Sequence, residues 1–244
     1  VTDCWTEYQA DLCDLRAAYA LADDARQEAV DFHLDTLDAP SDRLWVALDD
    51  IEEPTASLSA IDATLAGFVR THLRTPPERF DWPKRLEISD CWVAEPYRGS
   101  GLADDLMARA VQQGREDGCA DLTLTVGVEN ERALAYWEKL GFDVQGFGMT
   151  VPLGGVTLEN GREQPRNSDA GLYFRRVRAD EAVMSRFVEE CYVPFWRDMG
   201  EAVGEQHLSP DFDREQLVAD LLDAYDTPDR RCWVALEECE RPAC

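Results

Sequence analysis

The stretch from Val93 to Ala103 has the residue types and spacing that suit the binding of a phosphate group. Its first residues end a predicted strand, glycines at positions 99 and 101 form a tight turn, and a predicted helix begins at Leu102. Backbone N–H groups converge at the N-terminus of a helix, where partial positive charge favours an anion. Gly99 and Gly101 let the backbone approach that anion without an intervening Cβ atom. The turn therefore predicts an anion-binding site.

The elements before this turn predict a layer of helices and strands. Apolar residues at helical spacing indicate two helices between Val1 and Asp38, and Pro40 ends the second one. Two short apolar runs, Leu44 to Leu48 and Leu65 to Leu73, predict strands that pair as an antiparallel hairpin.

The elements around and after the turn continue this mixed pattern. Leu86 to Val93 predicts the strand that leads into the turn, and apolar positions from Leu102 onward predict the helix that follows it. The remaining predicted elements are a strand at Leu122 to Val126, a helix at Glu131 to Leu140 closed by Gly141, and a last strand at Phe142 to Leu153.

With these motifs in order, the chain resembles the GNAT superfamily of N-acetyltransferases over roughly Trp45 to Leu153. Arg98, Gly101 and Ala103 match the family's acyl-CoA signature Q/R-x-x-G-x-G/A. Asn130-Glu131-Arg132-Ala133 and Tyr136-Trp137-Glu138-Lys139-Leu140-Gly141-Phe142 match its later elements in order and spacing. The resemblance implies an α/β (α+β) GNAT fold, in which helices flank a mixed central sheet, and acetyl-CoA as the acyl donor.

The resemblance also implies roles for particular residues. Backbone amides of the turn would hold the diphosphate of CoA; its residues are Arg98, Gly99, Ser100, Gly101, Leu102 and Ala103. Backbone near Trp92 and Val93 would pair with the pantetheine arm and orient the thioester. Asn130 would bond to the same arm, and it is equally suited to cap the following helix, so both roles stay open.

Two features of the sequence depart from the family pattern. The family places the tyrosine that protonates the departing thiolate at the position of Trp137, whereas the tyrosine here is Tyr136, about 100° away around the helix. Tyr136 is therefore either the acid or a packing residue, and water is the alternative acid. Asp104 and Asp105 put negative charge in the first turn of the phosphate-facing helix, and we expect both to point to solvent.

Acetyl transfer to an amine also requires a group that removes a proton from the ammonium ion. Glu87 and Asp90 lie on the strand before the turn. They are an odd number of residues apart, and successive side chains of a regular strand point to opposite faces, so only one of the two can face the substrate. The leading hypothesis is direct transfer from acetyl-CoA to a small-molecule or peptide amine. The alternatives are an acyl-CoA-binding module without catalysis and a purely structural domain.

The composition is strongly acidic, with 50 Asp and Glu against 24 Lys and Arg and a formal net charge of −26. Nucleic acid is an unsuitable partner, because duplex binding needs a basic surface. Only Lys84 and Lys139 are lysines, and such an acidic, lysine-poor chain resembles proteins of salt-accumulating halophiles. No apolar run is long enough for a membrane span, and no export signal is visible at the start of the sequence.

The eight cysteines show no CxxC pair and no histidine at zinc-finger spacing. We therefore expect reduced thiols in a cytoplasmic protein, with no metal site. His33, His72 and His207 have no triad-like partners in the sequence and are expected to be packing or surface residues.

The end of the chain repeats part of its beginning. At an offset of 188 positions, 13 of the 32 residues from Ala25 to Ala56 recur, including Pro40 as Pro228 and Trp45 as Trp233. This predicts a GNAT domain at residues 1–153 whose opening strand is absent, a linker at 154–169, and a partial GNAT-like repeat at 170–244. We expect the predicted strand Leu172 to Val177 to supply the missing edge of the first unit, within the chain or across a homodimer.

Overall fold

The computed structural model describes residues 2–15, 25–37, 39–49, 63–156, 172–177, 180–204, 207–225, 227, 230 and 232–237. The chain divides into two compact units, the first formed by Val1–Pro76 and Pro83–Val144 and the second by Pro77–Trp82 and Gln145–Cys244. None of the helices in the described part of the chain is both long and apolar enough to cross a lipid bilayer.

The first unit contains the elements that the residue patterns predict up to Gly141. Their bounds are α1 Thr2–Leu15, α2 Ala25–Leu37, β1 Asp42–Asp49, β2 Thr64–Arg74, β3 Arg85–Val93, α3 Leu102–Glu116, β4 Asp121–Leu124 and α4 Glu131–Lys139. A single 3-10 turn, Glu95–Tyr97, connects β3 to the glycine turn. Gly141, two residues after the end of α4, adopts φ 94°, the left-handed conformation that commonly terminates a helix.

The four strands form one mixed sheet in the order β1-β2-β3-β4. The pairs β1–β2 and β2–β3 are antiparallel, so the predicted hairpin is confirmed. Strands β3 and β4 are parallel, and their ladder covers only Arg85–Ile88 against Asp121–Leu124. The second half of β3 therefore stays paired with β2 on one edge, while no described strand pairs with its other edge beyond the end of β4. With helices on both faces, this is the expected GNAT arrangement.

A bulge in β3 determines which of its side chains face which helices. Arg70 pairs with Asp90, while Thr71 pairs with Ile88, so Ser89 is the extra residue. The bulge reverses the alternation of side chains along the strand.

The two sides of the sheet carry separate cores. Leu86 and Ile88, and beyond the bulge Cys91 and Val93, belong to the cluster formed with α3 and Trp137 of α4. Trp92 and Ala94 belong to the opposite cluster, which Tyr8 of α1 joins. The sheet is thus covered by α3 and α4 on one face and by α1 on the other.

The second unit contains β5 Leu172–Val177, α5 Glu181–Phe187, a π-helical turn Val188–Tyr192, α6 Val193–Val203, α7 Arg214–Tyr225 and β6 Cys232–Glu237. Its core is a cluster around Met184 of α5 and Leu217 of α7. The segment Pro77–Trp82 completes this unit, since Phe80 forms a β-bridge with Leu208 and stacks on Trp82 with ring centroids 4.2 Å apart. Trp196 of α6 packs edge-on against Phe80 at 5.0 Å.

One prediction about the later part of the chain is wrong, and a second does not hold within the chain. Residues 142–152 form no strand, and Phe147, Met149 and Leu153 are 86%, 92% and 92% exposed. Alternating apolar residues form a strand only beside a partner, and no described segment pairs with this one. Strand β5 pairs antiparallel with β6 in a separate two-stranded sheet, so within the chain it does not complete the edge of the first sheet. Most of the predicted linker lies outside the described residues.

His33 generates a prediction about stability at acid pH. This α2 side chain is 8% exposed, its ring nitrogens have no hydrogen-bond partner among the described residues, and its ring packs against Trp5 and Phe32. Burial, and then the charge of Arg70, lower the pKa of His33, because the charged form is disfavoured in the folded state. Stability present above the ordinary histidine pKa is therefore lost as the pH falls below about 6.5.

We expect His33→Leu to reduce the loss of unfolding free energy between pH 7.5 and 5.5 by at most about 1.4 kcal/mol, because pH 5.5 lies only about one unit below the ordinary histidine pKa. Urea unfolding at the two pH values measures this effect. His72→Gln is the control, because the His72 ring bonds to Asp42 instead of lying without a partner. This variant should lose as much unfolding free energy between the two pH values as His33 causes in the wild-type protein. An equal acid loss in His33→Leu and the wild-type protein would contradict the prediction.

Candidate functional site

The glycine turn between β3 and α3 presents open backbone at a helix N-terminus. Gly99 and Gly101 have φ values of 81° and 96°, and a Cβ atom on either would meet nothing within 4 Å. Gly101 is the N-cap of α3 and has no side chain to cap the helix, while the N–H of Leu102 bonds to Ser100 Oγ at 3.3 Å. Residues with side chains adopt these φ values only under strain, so the glycines are needed for this geometry. The turn has the shape and polarity of an anion site.

The second half of β3 presents a free backbone edge next to this turn. The N–H of Ala94 bonds to Ala66 of β2 at 2.9 Å, so by strand alternation the backbone of Trp92 also faces β2. The backbone groups of Cys91 and Val93 face the other side, where β4 has already ended. This edge is suited to an extended ligand with amide groups. Cys91, which the sequence reasoning missed, thus shares with Val93 the position expected for Trp92.

A cavity of about 400 Å³ joins the turn and the free edge. Its walls come from three places in the first unit: the turn itself, one face of α1 and one face of α4. The residues predicted for binding that line it are Trp92, Val93, Arg98, Gly99, Gly101, Ala103 and Asn130. Ser100 and Leu102 belong to the same turn but do not line the cavity.

Helix α1 forms a wall whose individual residues were not singled out from the sequence, although the helices near Val1 to Asp38 were expected to shape the acceptor side of the site. Tyr8, Asp11, Leu12 and Leu15 line the cavity, and their spacing of three and four residues places them on one helix face. Asp11 accepts a hydrogen bond from the Trp92 indole at 2.9 Å and pairs with Arg98. The spacing could have indicated a shared face, but nothing local indicated that this face lies against the turn.

Arg98 connects the wall to the strand. While one of its terminal nitrogens bonds to Asp11, its Nε donates to the Val93 carbonyl at 3.0 Å. The side chain therefore joins α1, the end of β3 and the turn in one hydrogen-bonded unit. Its guanidinium also brings positive charge to the cavity wall.

Helix α4 forms the third wall and begins at Asn130. The side-chain oxygen Oδ1 of Asn130 accepts the N–H of Ala133 at 3.1 Å, which confirms the capping role, and the residue also lines the cavity. Trp137 lies in the core at 9% exposure, whereas the hydroxyl of the half-buried Tyr136 donates to Asp104 at 3.1 Å. Asp104 and Asp105 are both exposed, as expected, but Asp104 also lines the cavity.

Burial and the hydrogen bond to Asp104 together change the acidity of Tyr136. Burial is the larger cause, and both raise the pKa of the phenol above its usual range. The hydroxyl therefore keeps its proton at neutral pH, and Asp104 directs that proton toward α3.

The two candidate bases lie on one face of the sheet and outside the cavity wall. Because Ser89 is a bulge residue, Glu87 and Asp90 both face the α1 side, so the expectation that parity separates them is wrong. Glu87 pairs with Arg74. Asp90 pairs with Arg70 at 2.7 Å and accepts the hydroxyl of Tyr8 at 3.0 Å. Asp90 thus contacts a cavity residue, whereas Glu87 does not.

Two ionisable groups beside Asp90, the Tyr8 phenol and the Cys91 thiol, are held in their neutral forms. Burial and then Asp90 itself raise the pKa of the Tyr8 phenol. Burial, with a smaller effect of Asp90, raises the pKa of the Cys91 thiol to about 12. A thiol with this pKa is protonated and weakly nucleophilic at neutral pH, so Cys91 is unsuited to covalent catalysis.

Comparison with known proteins identifies relatives of this arrangement. The model of the acetyltransferase (GNAT) family matches residues 10–142. N-alpha-acetyltransferase MAK3 of Arabidopsis thaliana is 46% identical over 50 residues, which are 20% of this chain and 26% of that protein. Streptothricin acetyltransferase of Streptomyces lavendulae is 32% identical over 94 residues, which are 38% of this chain and 47% of that protein. The matches thus span less than half the length of these relatives.

A solved structure with the same fold is the tetramutant of the BH1408 protein from Bacillus halodurans. It has a TM-score of 0.52 and 20% sequence identity, and the match covers 63% of this chain and 92% of that one. At this level of identity the likeness concerns the fold alone.

The bond between Tyr136 and Asp104 is tested by removing the carboxylate. We expect Asp104→Asn to lower the pKa of Tyr136 toward the ordinary tyrosine value, because a negative charge that disfavours the phenolate is lost. A pH titration of fluorotyrosine-labelled protein by ¹⁹F NMR measures the shift, and Tyr136→Phe assigns the resonance. Asp105→Asn is the matched control, and an equal shift in that variant would contradict the assignment.

Proposed function

The chain belongs to the acetyltransferase (GNAT) family, and from this premise we propose that it transfers an acetyl group from acetyl-CoA directly to a primary amine. One observation carries the proposal: the glycine turn at the N-terminus of α3 and the free edge of β3 open into the same cavity. An anion site next to an unpaired strand edge fits a ligand that has a diphosphate at one point and an amide-containing arm beyond it.

The residues divide the binding of acetyl-CoA between them. Backbone amides from Arg98 to Ala103 and the dipole of α3 hold the diphosphate. The backbone of Cys91 and Val93 pairs with the pantetheine arm, and the Val93 carbonyl becomes available when Arg98 turns away from it. Asn130 uses its oxygen as the helix cap, so its amide nitrogen remains to bond to the arm. Acetyl-CoA supplies the activated acetyl group, and these contacts position it against the amine.

Among the predicted proton-transfer groups, the geometry favours Asp90 over Glu87 as the acceptor of the ammonium proton. Asp90 reaches the cavity through the hydroxyl of Tyr8, whereas Glu87 contacts Arg74 and no cavity residue. Tyr136 is the candidate acid for the thiolate because it stands in the cavity wall. It must turn its hydroxyl away from Asp104 to act, and water is the alternative donor.

A catalytically inactive acyl-CoA-binding module is the second candidate. The observation that favours it is Trp137, which fills the family's usual acid position and is buried in the core. An acetyl-CoA release assay against panels of small amines, polyamines, antibiotics and peptides, in molar KCl, separates the two functions. Turnover with an amine supports the enzyme, whereas tight binding of acetyl-CoA without turnover on every panel supports the module.

We also propose that the second unit derives from a partial copy of the first, with the domain limits 1–153, 154–169 and 170–244. At the offset of 188 residues, α6, α7 and β6 coincide with α1, α2 and β1 to within three residues at each end. The positions of Tyr8 and Asp11 hold Trp196 and Met199 in the copy. The copy therefore lacks the polar side chains of the α1 wall as well as a glycine turn, and catalysis is assigned to the first unit. A homodimer and a cytoplasmic location remain further proposals.

We propose that the protein is adapted to high salt. Its net charge is −26, and the many acidic side chains of a folded chain repel one another unless salt screens them. The melting temperature should rise between about 0.1 M and 2 M KCl, as screening shortens the Debye length from roughly 10 Å to a few Å. Sucrose is the control, because it stabilises folded proteins through exclusion without screening charge. A melting temperature that responds to sucrose but not to KCl would contradict this adaptation.

Two glycines, one before and one after α3, provide a test of where the diphosphate binds. Gly101→Glu puts bulk and negative charge into the turn and should weaken acetyl-CoA binding by at least about a hundredfold, as judged from the cost of a like charge in such a site. Gly118→Glu makes the same change beyond the other end of α3, where the glycine also has positive φ and open space around it. Isothermal calorimetry in high salt measures both affinities. Unchanged affinity in a folded Gly101→Glu protein would exclude the turn as the site.

A further inference from the structure

One face of α4 carries two cationic side chains to the cavity. Arg132, Tyr136 and Lys139 are spaced four and three residues apart, so they share this face, and all three line the cavity. Lys139 is one of only two lysines among 24 basic residues. The predicted function assigns no role to either cation.

The contact between Tyr136 and Asp104 determines where this face points. Asp104 lies in the first turn of α3, so the hydrogen bond of 3.1 Å holds the middle of the α4 face against the beginning of that helix. Arg132 and Lys139 lie about one helical turn to either side of this contact. Both cations therefore line the cavity into which the glycine turn opens.

Neither cation is neutralised by another described side chain. Arg70, Arg74 and Arg98 form ion pairs with carboxylates, whereas Arg132 and Lys139 make no ion pair with any described residue. In a chain of net charge −26, two unpaired cations beside an anion site are a local exception to the overall charge. Asp104 and Asp105 next to the turn increase the need for positive charge there, because they repel a phosphate.

We propose that Arg132 and Lys139 bind the 3′-phosphate of CoA and make the site selective for CoA over its 3′-dephospho form. This inference rests on the proposed function. The turn and the dipole of α3 provide for the diphosphate, and the pantetheine arm is uncharged. The 3′-phosphate is the remaining anionic group of CoA, with a charge near −2 at neutral pH, and it needs cationic side chains from outside the turn.

The test compares CoA with 3′-dephospho-CoA, which share the diphosphate and the pantetheine arm. Calorimetry gives the affinities of both ligands for the full chain and its variants, at the lowest KCl concentration at which each variant melts as the wild-type protein does. Wild-type protein should bind CoA about tenfold more tightly than dephospho-CoA, the size expected for charge-assisted bonds to one phosphate. This ratio should fall in Arg132→Gln and Lys139→Gln and approach one in the double variant. Arg115→Gln, an exposed change in the last turn of α3 outside the cavity, should keep the wild-type ratio.

The outcomes separate this inference from the function on which it rests. If neither ligand binds to the wild-type protein, the proposed function fails. If both bind with equal affinity, the function stands and the assignment of the 3′-phosphate is wrong. If Arg132→Gln and Lys139→Gln weaken both ligands by the same factor, these side chains act on the diphosphate instead, and the inference is overturned.

Discussion

The short parallel ladder between β3 and β4 is the constraint on which the rest of the site depends. It joins only four residues of each strand, so β4 leaves while β3 continues to Val93. A strand edge that has a partner strand has its backbone bonds satisfied within the sheet, whereas the edge of β3 at Cys91 and Val93 lies beyond the end of β4, and the Val93 carbonyl there accepts the side chain of Arg98. The glycine turn follows directly, so the free edge and the helix N-terminus are placed side by side by chain connectivity. Helices α1 and α4 then enclose the space between them.

Charge is the second physical theme of the molecule. The overall field of a chain of net charge −26 repels an anionic ligand, so any site for such a ligand needs positive potential from groups close to it. At the proposed diphosphate site, the backbone dipoles of the turn and of α3 would attract the ligand without any cationic side chain. Arg98 adds little net charge there because Asp11 neutralises it, so the unpaired cations of α4 are the side chains that can change the local potential.

The second unit shows how a set of helices remains packed without the sheet that a complete domain would provide. In the first unit, Tyr8 of α1 packs edge-on against Phe68, which in turn contacts Trp92. In the second unit, Trp196 of α6 packs edge-on against Phe80, which stacks on Trp82. The segment Pro77–Trp82 thus provides the aromatic surface that β2 and β3 provide in the first unit. The partial repeat at residues 170–244 that the sequence indicated is therefore completed by this segment.

The sequence by itself determined the helices and strands of the first unit up to Gly141, the glycine turn and the family. These features depend on local patterns, namely apolar periodicity, helix caps and glycines at positions of positive φ, which act over a few residues. Arg98, Gly99, Gly101 and Asn130 were therefore found from the sequence.

Only the tertiary structure decided which faces meet. The bulge at Ser89 placed Glu87 and Asp90 on one side of the sheet, and the docking of α1 brought Tyr8 and Asp11 to the cavity. The expected strand from Phe142 to Leu153 does not form, because its apolar alternation found no partner in the described residues. Each of these outcomes depends on contacts between residues far apart in the chain, and local patterns contain no information about which distant surface a segment will meet.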